Sequence, residues 1–394
     1  MPVAKKIAEA AQHSSWIRQM FEEGARLAAK HGRENVFDFT IGNPNLEPPA
    51  DFCGIVEELL HEPKTGTHGY MSNAGYMDSR KAVAASVTRD QCVPVGGEHV
   101  VMTVGAGGSL NVILKAILDP GDEVIVPSPY FMEYDAYVDN HGGVLRPVPT
   151  TVEFLLDLGA IEAAMGPKTR AVLINSPNNP TGRVYSEESL VALAELLERR
   201  SAENGRIVYL VADEPYRQIV YDGVRVAPVM KVYTNTIIAS SYSKALSLAG
   251  ERIGYVAANP AIDGIGILMD GLIMSNRILG FVNAPALMQR VVARMQDCCV
   301  DISPYRLNRD TLVDGLTEAG FEVVKPEGAF YLFPKSPVAD DVAFCREMQE
   351  SLVLVVPGRG FGLPGHFRMA YCVAPEVVEG ALPAFRAVGE KYFK

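Results

Sequence analysis

The chain has 394 residues, 48% of them hydrophobic and 21% charged, with a formal net charge of −11. That length exceeds what a single hydrophobic core serves, so two domains are expected. The acidic balance argues against a basic nucleic-acid-binding face, and no apolar stretch reaches membrane-spanning length.

The six cysteines, Cys53, Cys92, Cys298, Cys299, Cys345 and Cys372, form no C-x-x-C pair. Neither a zinc knuckle nor a disulfide framework is expected, and no metal site. The opening Met1-Pro2-Val3-Ala4-Lys5-Lys6 lacks the apolar core of a signal peptide. A soluble, cytoplasmic protein is the expectation.

Residues 5–32 read as one or two helices closed near Gly32. Residues 35–39 look extended and run into the turn Thr40-Ile41-Gly42-Asn43-Pro44-Asn45. Gly42 suits either turn geometry or a backbone that approaches a ligand closely. Residues 65–75 form a polar loop that carries Tyr70. From residue 100 the pattern becomes regular. An apolar run at 100–104 is followed by Gly105-Ala106-Gly107-Gly108-Ser109, then a helix that Asp119-Pro120-Gly121 stops. Strand, glycine loop and helix together can present free backbone N–H groups to a phosphate. The spacing is neither G-x-G-x-x-G nor a P-loop.

Further runs at 123–126, 171–174, 207–211 and 236–239 are continuous and β-branched. Helical stretches such as 189–200 separate them. That is the pattern of a mostly parallel sheet covered by helices on both faces, an α/β fold. Catalytic groups in such sheets collect beyond the carboxyl ends of the strands. Those positions hold Gly105-Ala106-Gly107, Pro127-Ser128-Pro129-Tyr130, the stretch from Asn175 to Gly182, Asp213-Glu214-Pro215-Tyr216 and Ser241-Tyr242-Ser243-Lys244. After about residue 285 the rhythm changes. A long helix (286–303, then 305–319) is expected, with extended stretches at 321–324, 328–333 and 367–373. This predicts a large domain over 46–285 and a smaller α+β domain built from 1–45 with 286–394.

Lys244 follows a buried strand, where its ammonium loses water. A lysine so placed has a lowered pKa and is a candidate nucleophile. Taken as an imine-forming amine, it points to pyridoxal phosphate, whose needs can be checked. The ring nitrogen needs a buried carboxylate: Asp213. The phenolate oxygen needs donors: Tyr216 and Asn179. The phosphate needs N–H groups and a cation: Ala106, Gly107, Ser241 and Arg252. The ring needs an aromatic face: Tyr130. An amino-acid carboxylate needs a guanidinium: Arg368. Ser243 is either a phosphate donor or a turn hydroxyl.

The motifs Asn178-Asn179-Pro180-Thr181-Gly182, Asp213-Glu214-Pro215-Tyr216, Ser241-Tyr242-Ser243-Lys244, Gly250-Glu251-Arg252-Ile253-Gly254 and Phe367-Arg368-Met369 occur in this order. In them the chain resembles the class I/II pyridoxal-phosphate-dependent aminotransferases, the aspartate aminotransferase superfamily of fold type I. The resemblance implies a seven-stranded large domain, a small domain from both termini and a homodimer with active sites at its interface. It implies that Tyr70 reaches the neighbouring subunit's cofactor phosphate and that Gly42 lies beside the substrate carboxylate. It implies transfer of an amino group from an amino acid to a 2-oxo acid through alternating cofactor forms. The donor could be aspartate, alanine or an aromatic amino acid. Arg277 lies in about the region that supplies a second cation for acidic donors.

Three other readings share parts of these motifs. Ser241-x-x-Lys244 with Lys64-Thr65-Gly66 spells parts of a serine acyl-enzyme, but in the wrong order and without S-D-N. A cofactor-binding regulator would need a DNA-binding segment for which the chain has no room. A C–S β-lyase would keep every motif, since a fold does not fix the reaction.

Overall fold

The computed structural model describes residues 2–12, 16–61 and 66–394. Lys64 and Thr65 of the K-T-G triplet therefore lie outside the described residues. Eight strands occupy the first two thirds of the chain: β1 (Phe37–Asp38), β2 (Val100–Thr103), β3 (Glu123–Ser128), β4 (Val144–Pro149), β5 (Thr169–Asn175), β6 (Tyr209–Asp213), β7 (Thr236–Ser241) and β8 (Gly254–Ala258). Seven of them form one sheet in the order β2-β8-β7-β6-β5-β3-β4. Strand β8 runs antiparallel to both neighbours, and all other pairs are parallel.

The continuous apolar runs follow from burial on both faces. Alternate residues of a strand point to opposite sides. Ile125, Val172, Ile174, Leu210, Ala212 and Ile238 enter one core, under the helices Met77–Gln91, Glu187–Asn204 and Ala286–Ala293. Their neighbours Val124, Val126, Ala171, Leu173, Val211 and Ile237 enter the other, under Gly105–Ile117, Glu133–Asp139 and Ile265–Ile278. Strand β4 escaped the sequence reading because it carries Pro147 and Pro149 and is largely exposed. As an edge strand it pairs on one side only, which is where a residue without an N–H fits.

A second core lies around β9 (Tyr331–Leu332), β10 (Val353–Leu354), β11 (Val356–Pro357) and β12 (Phe367–Ala370). Strands β11, β12 and β9 form an antiparallel sheet, and β10 pairs in parallel with β1. Phe39 from the N-terminal segment joins Leu312, Phe330, Phe344, Phe367 and Phe385 in this core. Two expectations need correction. The long helix breaks into Ala286–Ala293 and Ser303–Glu318, and residues 321–324 form no strand. The first of those helices buries Met288, Val291 and Val292 in the large sheet's core. The packing therefore changes over nearer residue 300 than 286.

Gly254 locks the large sheet to the loop after β2. A Cβ there would lie 2.5 Å from the Ser240 carbonyl oxygen and 2.9 Å from the Gly105 carbonyl carbon. Both are backbone atoms that cannot swing aside. Gly254→Ala should therefore destabilise the protein by about 1–3 kcal/mol, read as a lower midpoint in chemical denaturation with an unchanged slope.

Candidate active site

A cavity of about 340 Å³ opens at the carboxyl ends of the parallel strands. Strand register brings the key groups together. Asn175 lies opposite Asp213 across β5 and β6, and Asp213 lies opposite Ala239 on β7. Ten sequence-predicted residues line the cavity: Gly42, Ala106, Gly107, Asn179, Asp213, Tyr216, Ser241, Lys244, Arg252 and Arg368. Ser243 lines it as well.

Lys244 is enclosed. Its Nζ donates to the Gly42 carbonyl at 2.7 Å and stands 5.5 Å from the Phe330 ring centre. Burial lowers its pKa to about 8, Arg368 and Arg252 push the same way, and Cys372 opposes them. An amine near 8 has a far larger neutral fraction at neutral pH than an ordinary lysine, and the neutral form is what a nucleophile or base requires.

Asp213 ends β6 in the middle of the sheet. Its Oδ2 accepts from the Tyr134 hydroxyl at 2.5 Å, and the Asn175 amide donates to its carbonyl at 2.8 Å. Its Oδ1 is buried without a partner. Burial raises the carboxyl pKa to about 7, the Tyr134 hydrogen bond opposes that rise, and Glu214 adds to it. A half-satisfied buried carboxylate marks a place where a donor is missing.

Arg368, 2% exposed, is the positive counterpart. It donates to Asn179 Oδ1 at 3.2 Å and to the Thr40 carbonyl, while Nε is buried without a partner. Its guanidinium lies between the Tyr331 and Phe361 rings, at 4.8 and 4.6 Å from their centres. No carboxylate among the described residues pairs with it. A structural ion pair is thus excluded there, and an unpaired buried guanidinium favours an incoming anion.

Arg252 has φ +51° and bonds the Ala249 carbonyl at 3.0 Å. Its guanidinium covers the start of the helix Gly105–Ile117. A Cβ on Gly105 (φ +80°) would lie 2.8 Å from Nη2. Cation and helix N-terminus therefore face one spot, as an anion site requires.

Three expected residues do not line this cavity. Tyr130 is turned away. Its hydroxyl donates to Asp135 at 3.1 Å, its N–H donates to the Phe361 carbonyl, and its ring packs against Gly362. The neighbouring Phe131 lines the cavity instead. Tyr70 is 92% exposed. Arg277 is exposed on the helix Ile265–Ile278, where its guanidinium donates to the Met274 sulfur. Sequence reasoning missed Tyr134, Tyr137 and Tyr331, which also line the cavity. The available signal was the three-residue spacing of Tyr134 and Tyr137 on one helix.

A lysine amine, a carboxylate with a free oxygen, an anion cradle and a free guanidinium thus face one cavity. The family model described as aminotransferase class I and II matches residues 34–385. The chain belongs to the class I and II aminotransferases. A probable aspartate/prephenate aminotransferase of Thermus aquaticus is 36% identical over 88% of this chain and 89% of its own. The aspartate aminotransferase of Thermotoga maritima is 31% identical over 91% and 92%. Among solved structures, an amino transferase from Eubacterium rectale superposes with a TM-score of 0.97, 42% identity and full coverage of both chains. The Thermus thermophilus aspartate aminotransferase solved with maleate gives 0.84 and 30% over 95% and 97%. The expected fold type I architecture and pyridoxal phosphate dependence hold for this aminotransferase. It moves an amino group from an amino acid to a 2-oxo acid.

Capture of pyridoxal phosphate by the cofactor-free enzyme should follow the neutral fraction of Lys244. Below pH 8 the rate should climb roughly tenfold per pH unit and then level off. Arg368→Met removes a repelling charge and should move that midpoint upward. Stopped-flow absorbance reads both.

Proposed function

We propose that the cavity holds pyridoxal phosphate with its ring nitrogen at Asp213 and its phosphate at Arg252. The observation that carries this is the free Asp213 Oδ1, the acceptor a protonated ring nitrogen requires. When bound, the cofactor supplies an aldehyde that condenses with amines and a ring that accepts the electrons of a broken bond. Tyr216 and Asn179 donate to its phenolate oxygen. Ser241 and the N–H groups of Ala106 and Gly107 share its phosphate with Arg252. Phe131 supplies the aromatic face once expected of Tyr130.

Arg368 binds the substrate α-carboxylate, with Gly42 leaving room beside it. Lys244 would hold the cofactor through its amine and, once that amine is free, is placed to take up the substrate Cα proton and give it back. Asp213 keeps the ring nitrogen protonated and so stabilises the charge that develops. The closed wall around Lys244 keeps water from competing for that proton. The same steps in reverse load the second 2-oxo acid.

A homodimer is part of this reading. Tyr70 and the helix Ile265–Ile278, with Ile267 81% and Ile278 55% exposed, leave apolar surface that a second copy would cover. Tyr70 would then reach the second subunit's phosphate. The enzyme would work in the cytoplasm. No helix among the described residues is long and apolar enough to cross a membrane.

The donor reading follows from charge. Among the described residues, the cations on the cavity wall are Lys244, Arg252 and Arg368, each with a role above. Ile41, Leu110, Phe131 and Tyr137 are among the wall residues that carry no charge. Alanine or aromatic donors fit this wall. Aspartate would need a further cation, for which Arg277 of a second subunit is the candidate.

Lys244→Ala should abolish transfer and the cofactor's protein-bound absorbance shift. An active variant would remove the assignment. Donor half-reactions followed by absorbance should give phenylalanine or alanine a kcat/KM at least about tenfold above aspartate, the value of one unpaired carboxylate. The opposite ranking, lost on Arg277→Ala, would instead assign acidic donors to that arginine. Elimination chemistry would release ammonia without forming a new amino acid.

A further inference from the structure

A second phenol stands behind Tyr216. The Tyr331 hydroxyl lies 2.8 Å from the Tyr216 hydroxyl, with the rings edge to face at 5.6 Å. Both side chains are buried, at 3% and 5% exposure. Tyr216 enters from the loop after β6 and Tyr331 from β9, and the two meet in the second core beside the cavity.

Tyr331 has little freedom to turn away. A Cβ on Gly42 would overlap its hydroxyl, and the Arg368 guanidinium covers its ring. On the strand side, Tyr331 pairs in register with Ala370, two residues beyond Arg368. Among the described residues, the hydrogen-bond partner of the Tyr331 hydroxyl is Tyr216.

A pair of phenols has two protons and needs one for the bond between them. If Tyr216 donates, its proton is used up on Tyr331 and cannot serve a ligand. If Tyr331 donates, the Tyr216 proton is free to face the cavity. We propose that Tyr331 is a positioning residue that donates to Tyr216 and so aims the Tyr216 proton at the cofactor's phenolate oxygen. This rests on the cofactor placement given above.

The surroundings favour that direction. The Arg368 charge over the Tyr331 ring draws electron density from it and strengthens its hydroxyl as a donor. Burial pushes the Tyr331 pKa up to about 12 and that of Tyr216 well above its ordinary value. Both therefore act as neutral donors across the working pH range. Accepting from Tyr331 also polarises the Tyr216 O–H, which makes it a better donor in turn.

The readout is the pH midpoint of the bound cofactor's absorbance. Donation to the phenolate oxygen favours the form that has lost its proton, because that form leaves the oxygen's charge uncompensated. A weaker donor therefore raises the midpoint. Tyr331→Phe should raise it by about 0.5–1 pH unit, the size of one weakened hydrogen bond. Tyr216→Phe should raise it at least as far, and the double variant should titrate like Tyr216→Phe alone. An unmoved midpoint in Tyr331→Phe overturns the proposal. So does a Tyr331→Phe shift that keeps its size without Tyr216, since it would not act through that residue. Should Tyr331→Phe not fold, Tyr331→Leu removes the same hydroxyl and is read by the same rule. Failure to form any pH-dependent cofactor band would overturn the cofactor placement itself, and this proposal with it.

Discussion

A carboxylate held at the centre of a sheet with one oxygen unpaired is costly to keep. Asp213 is that group, and much of the molecule is arranged around it. Parallel strands on both sides bury it, Tyr134 holds one oxygen, and Asn175 pins its backbone. Asp213, with its Oδ1 unpaired, lines the cavity that Lys244 shares. Burial pushes the two groups in complementary directions, the acid up to about 7 and the amine down to about 8. The same desolvation thus prepares an acceptor for a cationic ring nitrogen and an amine able to react.

The second core sends two side chains to the cavity. Arg368 comes from β12 and Tyr331 from β9, and both bond to residues that follow the large sheet's strands, Asn179 and Tyr216. The guanidinium also takes the Thr40 carbonyl from the N-terminal segment. The Arg368 guanidinium is therefore held by three separate parts of the chain. Any change in how the cores meet alters its distance from Lys244, and the proposed transfer chemistry is sensitive to that distance.

Lys244, Asp213, Asn179 and Ser241 were legible because each follows a continuous apolar run, and such runs end at the catalytic edge of a parallel sheet. Arg252 and Arg368 were legible because the proposed cofactor and substrate each need a cation. Phe131 was not. It and Tyr130 are adjacent aromatics, and the choice between them depends on the loop at Phe361 and Gly362, which holds Tyr130 from outside. Tyr134 was missed for a similar reason, since its partner Asp213 is 79 residues away. The helix Ala286–Ala293, expected to open the small domain, packs Met288 and Val291 into the large sheet's core, a contact with distant segments that its own pattern does not record.

The amino-acid sequence by itself determined the fold class, the family and the cofactor, and it singled out Lys244 as the candidate reactive lysine. Those depend on local runs and on short motifs whose order the chain carries directly. Only the tertiary structure decided which aromatic faces the cavity, which oxygen of Asp213 stays free and that two phenols share a proton. Each of these depends on which groups from distant segments compete for the same hydrogen bond or the same space, and no local pattern records that competition.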